Sequence, residues 1–248
     1  MIDRLVKYVL GILACAMILT AAGCAVKRDE EHTIPDKTES TQSEPKEIKI
    51  ACIGDSITFG AGVHLTRDQD SYPAKLSGLL GSNYTVLNYG ISGKTLLNET
   101  NTPYRAMDFF EESKQALPDI VLIMLGTNDS KAFNWNAGEY EKQLEEFVNI
   151  YKELPSGPEV YLMTCCAAFG TQEGDVVAFH VNKSVIADEV NPIIRRVAEK
   201  CQVPVIDIYE VTKDHSEYFV DGVHPNAEGN EVIAQVVYEA LGSAGGDS

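Results

Sequence analysis

The sequence predicts one three-layer α/β/α sandwich built on a five-stranded parallel sheet. Two observations predict it: five short, continuous apolar runs bounded by turn residues, and a helical pattern after each of them. A strand covered on both faces reads as an unbroken apolar run, and parallel strands need a crossover helix between them. At 248 residues the chain has room for one sizeable domain.

The elements follow in order. IKIACIG (48–54) is the first strand, and YPAKLSGLL (72–80) the first helix. YTVLNY (84–89) and the pattern 104–117 follow, then DIVLIMLG (119–126). The helix expected over 138–154 places Tyr140, Leu144, Phe147, Val148 and Tyr151 on one stripe at a 3.6-residue period. EVYLMTC (159–165), a helix over 185–201, VPVIDIY (203–209) and a helix over 226–241 complete the series. Pro192 predicts that the fourth helix is kinked there or begins there, because proline has no N–H to give the preceding turn.

The first residues do not fit this pattern. Arg4 and Lys7 precede the uncharged run Tyr8 to Gly23, which has the organisation of a secretory signal. Ala21-Ala22-Gly23 lead into Cys24, resembling the lipobox of bacterial lipoproteins, in which the cysteine is acylated and becomes the new N-terminus. The competing reading is an uncleaved anchor, since Tyr8 to Val26 is uncharged throughout and about long enough to span a bilayer. Both readings put the rest of the chain outside the cytoplasm, tethered to the membrane of a bacterial cell envelope. Residues 24–47 are charged and rich in Ser and Thr, as a solvated linker is, and 243–248 read as a flexible tail. The domain is expected over 48–242.

Composition narrows the function. The chain holds 37 acids against 20 bases, a formal charge of −17, where nucleic acid binding needs clustered Lys and Arg. No C-x-x-C or H-x-x-x-H pair occurs, so no zinc ligand set is visible and no cofactor is expected. Cys52, Cys165, Cys166 and Cys201 sit in or beside apolar runs and read as buried free thiols, although export would permit a disulfide.

In parallel α/β sheets, function collects in loops beyond the carboxyl ends of the strands. Here those loops read Gly54-Asp55-Ser56, Asn88-Tyr89-Gly90-Ile91-Ser92-Gly93 and Gly126-Thr127-Asn128-Asp129, with Asp221-Gly222-Val223-His224-Pro225 before the last helix. In order and placement these four blocks closely resemble those of the SGNH (GDSL-type) hydrolase family, over essentially all of 48–242. The resemblance implies a flavodoxin-like sheet, Ser56 as nucleophile, His224 as base and Asp221 as its partner. It also implies an oxyanion hole formed by Gly93, Asn128 and the Ser56 amide. Elementary chemistry agrees. A serine hydroxyl needs an adjacent base, and a spacing of three lets one turn bring Asp221 to the imidazole of His224. His32 falls in the linker, His64 has no carboxylate at triad spacing, His215 follows Asp214 directly so that the two side chains diverge, and His180, in the loop 166–182, is at most a substrate contact. Asp55 and Asp129 read as stabilisers of turns or networks.

Two rivals fall on particular residues. NYGISGKT (88–95) misses a phosphate-binding loop at Asn88, where glycine permits the tight turn. A non-catalytic surface glycan-binding module is disfavoured by the complete Ser–His–Asp set. No G-x-S-x-G elbow marks an ordinary α/β-hydrolase.

The expected partner is a small-molecule or glycan ester, and oligomeric state is not legible. GTNDSKAFNW (126–135), with Tyr104 upstream, is most similar to the carbohydrate O-acetylesterase branch, which makes Tyr104 and Trp135 candidate substrate contacts. Trp135 reads equally well as packing under its own loop. Small residues at 60–62 and 165–168 and the absence of a long apolar lid point to short acyl groups. Lysophospholipase or thioesterase activity within the same family is the alternative.

Overall fold

A computed structural model describes residues 47–170 and 174–244. The leader, the lipobox Cys24, linker residues 24–46 and tail residues 245–248 lie outside the described residues. The described residues form one compact unit.

Five strands, β1 (Ile48–Gly54), β2 (Tyr84–Gly90), β3 (Ile120–Met124), β4 (Glu159–Met163) and β5 (Val205–Ile206), form one sheet in the order β2-β1-β3-β4-β5. Every pairing is parallel. This is the doubly wound arrangement in which the strand order reverses between β1 and β3, opening a crevice at their carboxyl ends.

The strands alternate inward faces, as the two-residue period of a strand requires. Ala51, Ile53, Val121, Ile123, Val160 and Leu162 pack with Phe110, Leu144, Phe147, Tyr151, Ile194 and Val197 of α4 (Asp108–Gln115), α5 (Ala137–Lys152) and α7 (Asn191–Cys201). Ile50, Cys52, Leu122, Met124, Tyr161 and Met163 pack on the other face with Tyr72, Leu76, Ile233 and Val237 of α3 (Tyr72–Leu80) and α9 (Ala227–Ala244). The α5 stripe read from the sequence is buried throughout. Among the described residues no helix is long and apolar enough to cross a membrane.

Four differences from expectation have local causes. The run 203–209 gives only the two-residue β5, because the Asp207 side chain accepts the Glu210 N–H and starts α8 (Ile208–Thr212). The single helix expected over 104–117 is a 3₁₀ turn, Tyr104–Ala106, and then α4, separated by extended Met107. The short helices α1 (Ser56–Phe59) and α2 (Arg67–Asp70) lack the length that makes periodicity readable. The fourth difference is a π turn, Ile186–Val190, that joins α6 (Lys183–Val185) to α7, while α7 begins at Asn191 with Pro192 in its first turn, as the sequence predicts. The wide turn accommodates the missing proline N–H.

Cys52, Cys165, Cys166 and Cys201 are free and buried. Burial pushes the Cys52 thiol up to about 12, so it carries no thiolate at neutral pH.

Candidate active site

The site forms where β1 and β3 end. Chain direction changes at Asp55, whose carboxylate accepts the Ile57 N–H at 2.9 Å and caps α1. Ser56 is therefore the first residue of a short helix, at the top of a central strand. Its side chain faces His224, which arrives on the loop before α9.

The Ser56 hydroxyl lies 2.9 Å from Nε2 of His224, and Nδ1 of His224 lies 2.7 Å from Asp221 Oδ2. The other carboxylate oxygen, Oδ1, accepts the backbone N–H groups of Val223 and His224 at 3.0 and 2.8 Å. One carboxylate thus orients the ring and holds the turn that carries it. Partial burial would raise the Asp221 carboxyl, but its hydrogen bonds from the ring and the two amides outweigh this and hold it below the usual range. A charged acceptor at Nδ1 fixes the proton there and leaves the Nε2 lone pair facing Ser56.

The loop is seated by close backbone contacts. A Cβ on Gly62 would stand 2.1 Å from the Pro225 carbonyl oxygen, so the turn after α1 touches the chain beside His224. Asn230, fully buried on α9, donates to that same carbonyl at 2.9 Å while its side-chain oxygen accepts the Tyr72 N–H at 2.9 Å.

Three further donors border the cleft. Gly93 follows β2 with φ of 79°, a left-handed conformation that turns its backbone sharply. Among the described residues, neither its N–H nor that of Ser56 has a protein acceptor. Asn128 follows β3, and its side-chain nitrogen reaches Asp55 Oδ2 at 3.2 Å and the Lys94 carbonyl at 3.1 Å. Asp129 is buried and accepts the N–H groups of Leu96 and Leu97 at 3.1 and 2.9 Å, securing the loop after Gly93. Burial pushes Asp55 up to about 6 and Asp129 up to about 7.

Ser56, Gly93, Asn128 and His224 line one cleft of about 220 Å³, with apolar walls from Ala61, Phe179, Val181 and Val223. Such a site can deprotonate a hydroxyl, admit a small acyl group and receive the negative charge of a tetrahedral intermediate.

A sequence profile described as "GDSL-like Lipase/Acylhydrolase family" matches residues 52–232. The chain belongs to this family. It is 34% identical over 218 residues to an acetylxylan esterase of Xylanibacter ruminicola, covering 79% of this chain and 44% of that protein. A multidomain esterase of Ruminococcus flavefaciens is 28% identical over 236 residues, covering 78% of this chain and 28% of the other. The chain thus spans less than half the length of either relative. A carbohydrate acetylesterase family member from Sinorhizobium meliloti superimposes with a TM-score of 0.61 at 22% identity, covering 78% of this chain and 97% of that one. At that identity the likeness concerns the fold.

Two candidate contacts of this family member need correction. Tyr104 is fully buried, its ring edge-on to Phe147 and its hydroxyl donating to the Tyr89 carbonyl at 2.7 Å. It belongs to the core and cannot reach substrate. Trp135 lies outside the cleft that holds Ser56: its ring packs on Tyr140, and its indole N–H donates to Glu189 at 2.9 Å. The remaining described histidines stay away from Ser56. His64 lines a separate depression, His180 packs against Phe133, and His215 pairs with Glu217. Among the described residues no cluster of His, Cys, Asp and Glu could hold a metal.

Sequence reasoning missed Phe179. It stands on the loop between β4 and α6, its ring 4.9 Å from that of His224. Only the return of this loop over the sheet brings the two together, so no local pattern announces it. Asn230 was equally silent, because a buried asparagine inside a helix has no signature until its partners are known.

Proposed function

We propose that the protein is a serine esterase that removes small acyl groups, acetyl foremost, from carbohydrate esters through an acyl-enzyme on Ser56. The observation that carries this reading is the continuous hydrogen-bonded line Ser56–His224–Asp221 at the mouth of a small cleft. In the forward step His224 Nε2 takes the Ser56 proton as Oγ attacks the ester carbonyl. The C=O electron pair moves onto oxygen, where the N–H groups of Ser56 and Gly93 and the Asn128 amide receive it. Collapse expels the alcohol, which takes its proton from His224. Water then repeats the sequence on the acyl-enzyme and releases the acid.

The acyl preference is supported by size. A cleft of about 220 Å³ is below the range of about 300–1,000 Å³ typical of sites that enclose drug-sized ligands. The carbohydrate preference is supported by the acetylxylan esterase relative. The N-terminal pattern extends the proposal to an exported protein held at the bacterial envelope through lipid on Cys24.

The test is a pair of measurements on purified protein. A fluorophosphonate probe is expected to label Ser56, mapped by peptide mass spectrometry. Ser56→Ala is expected to lose about 10⁴-fold or more in kcat/KM for p-nitrophenyl acetate. Near-normal turnover by that variant would overturn the assignment.

A further inference from the structure

A second concavity lies near the cleft. It encloses about 240 Å³ on the loops after β2 and β3, and Phe133, Asn134, Asn136, Glu99 and Thr100 border it. Phe133 is 73% exposed, although an aromatic ring gains free energy by leaving water. Trp135 at its edge is committed to Tyr140 and Glu189, so Phe133 is the ring with a free face.

Aromatic contacts join this concavity to the cleft. Phe179 stands edge-on to His224 at 4.9 Å, its neighbour His180 stands edge-on to Phe133 at 6.3 Å, and Phe133 borders the second concavity. Phe179 and His180 hold φ of 59° and 62°, two successive non-glycine residues in the left-handed region. Such strain persists where the surrounding structure imposes it. Here the Val177 N–H donates to Val181 at 2.8 Å and the Lys183 N–H to Asp175 at 2.8 Å, closing the loop behind the two rings. Phe179 is itself 53% exposed.

The polar lining suits hydroxyl groups. Among the described residues, the side-chain oxygen of Asn134 and the side-chain nitrogen of Asn136 have no hydrogen-bond partner. The Glu99 carboxylate accepts from Gln143 Nε2 at 2.8 Å. Unpaired amide groups and a carboxylate around an exposed aromatic face match a neutral pyranose, which offers an apolar ring face and a rim of hydroxyls. The carboxylate disfavours anionic sugars. Asn134 Nδ2 also donates to the Asn128 carbonyl at 2.8 Å, tying this concavity to the loop that borders the cleft.

We propose that the Phe133 concavity is a distal sugar subsite, so that the substrate is an ester on a neutral oligosaccharide running from His224 along Phe179 to Phe133. This rests on the esterase reading and names its substrate as a chain of several sugars rather than a single one. Two ring contacts and one peptide step connect the imidazole of His224 to the distal ring.

The experiment measures kcat/KM for acetylated xylose and acetylated xylo-oligosaccharides of increasing length, with p-nitrophenyl acetate as reference. The trimer is expected to exceed the monosaccharide by about tenfold, the worth of roughly 1.4 kcal/mol of stacking and hydrogen bonding. In Phe133→Ala the trimer-to-monomer ratio is expected to fall to about one, because a subsite without its ring gives no reward for length. A ratio near one in the wild type, or a gain that survives Phe133→Ala, overturns the distal subsite. Loss of p-nitrophenyl acetate hydrolysis in the wild type would instead overturn the esterase reading beneath it.

Discussion

The side-chain nitrogen of Asn128 lies 3.2 Å from Asp55 Oδ2, so the residue before the candidate nucleophile holds a candidate oxyanion donor in place. Its second acceptor at rest is the Lys94 carbonyl at 3.1 Å. An oxyanion formed in the cleft must share the amide with these two, and a full negative charge competes well for it.

Asn128→Ala is accordingly expected to lower kcat for p-nitrophenyl acetate by about 10²–10³-fold with little change in KM, because the charge it would meet exists only in the transition state. Steady-state kinetics on the purified variant decide it. A loss confined to KM contradicts the role.

Asp55 and Asp129 set a pH dependence whose direction follows from burial. Both carboxyls are raised, to about 6 and about 7, whereas an unfolded aspartate releases its proton near pH 3.9, roughly. Between those values the folded chain binds more protons than the unfolded one, so their contribution to stability is fully present below the unfolded value and is lost as pH rises towards 7. In Asp129→Asn, the Tm difference from wild type is expected to shift upward by a few degrees between pH 5 and pH 8. Calorimetry at a series of pH values tests it, and a difference that moves the opposite way refutes it.

The acyl side of the cleft predicts a length limit. Hydrolysis of p-nitrophenyl acetate, butyrate, octanoate and palmitate is expected to fall steadily in kcat/KM from acetate onward. A longer chain finds no trough in which each methylene could gain its usual 0.8 kcal/mol or so. An optimum at octanoate or beyond would reverse the small-acyl assignment.

Two glycines should respond in opposite ways. Gly62→Ala forces a methyl group against the Pro225 carbonyl beside His224, and is expected to lower both Tm and kcat. Gly78→Ala on α3 meets nothing within 4 Å and is expected to stabilise by about 0.5–1 kcal/mol with unchanged activity. Thermal melts and p-nitrophenyl acetate rates on the two variants check both statements.

Cys24→Ala is expected to abolish metabolic labelling with a fatty acid in a bacterial host and to shift the protein out of the membrane fraction. A mature N-terminus at Met1 would favour the uncleaved anchor instead.

The sheet was legible because a strand covered on both faces is mostly apolar, as β1, β3 and β4 are apart from Lys49 and Glu159 near their starts, whereas the half-buried edge strand β2 carries Thr85 and Asn88. Ser56, Gly93, Asn128, Asp221 and His224 were legible because each follows a strand or precedes α9 in a short block; four of them line one cleft, and Asp221 bonds to His224 from outside it. Tyr104 misled because sequence distance from a block says nothing about which way a side chain points, whereas Trp135 took the packing one of its two readings. Tyr104 turns inward to Tyr89, and Trp135 turns towards Tyr140. Phe179 was invisible for the converse reason, since its place beside His224 depends on a left-handed turn at a residue type that seldom takes one.

Ser56 and His224 stand 168 positions apart, one at the start of the domain and the other just before its final helix. Asn230 on that helix holds both the Pro225 carbonyl beside His224 and the Tyr72 N–H of α3. During synthesis the candidate nucleophile emerges well before the candidate base and the helix that seats it. A nascent chain that has not yet released α9 therefore lacks the contacts that seat His224 beside Ser56. Docking of that helix onto α3 is the step that completes the Ser56–His224 pair.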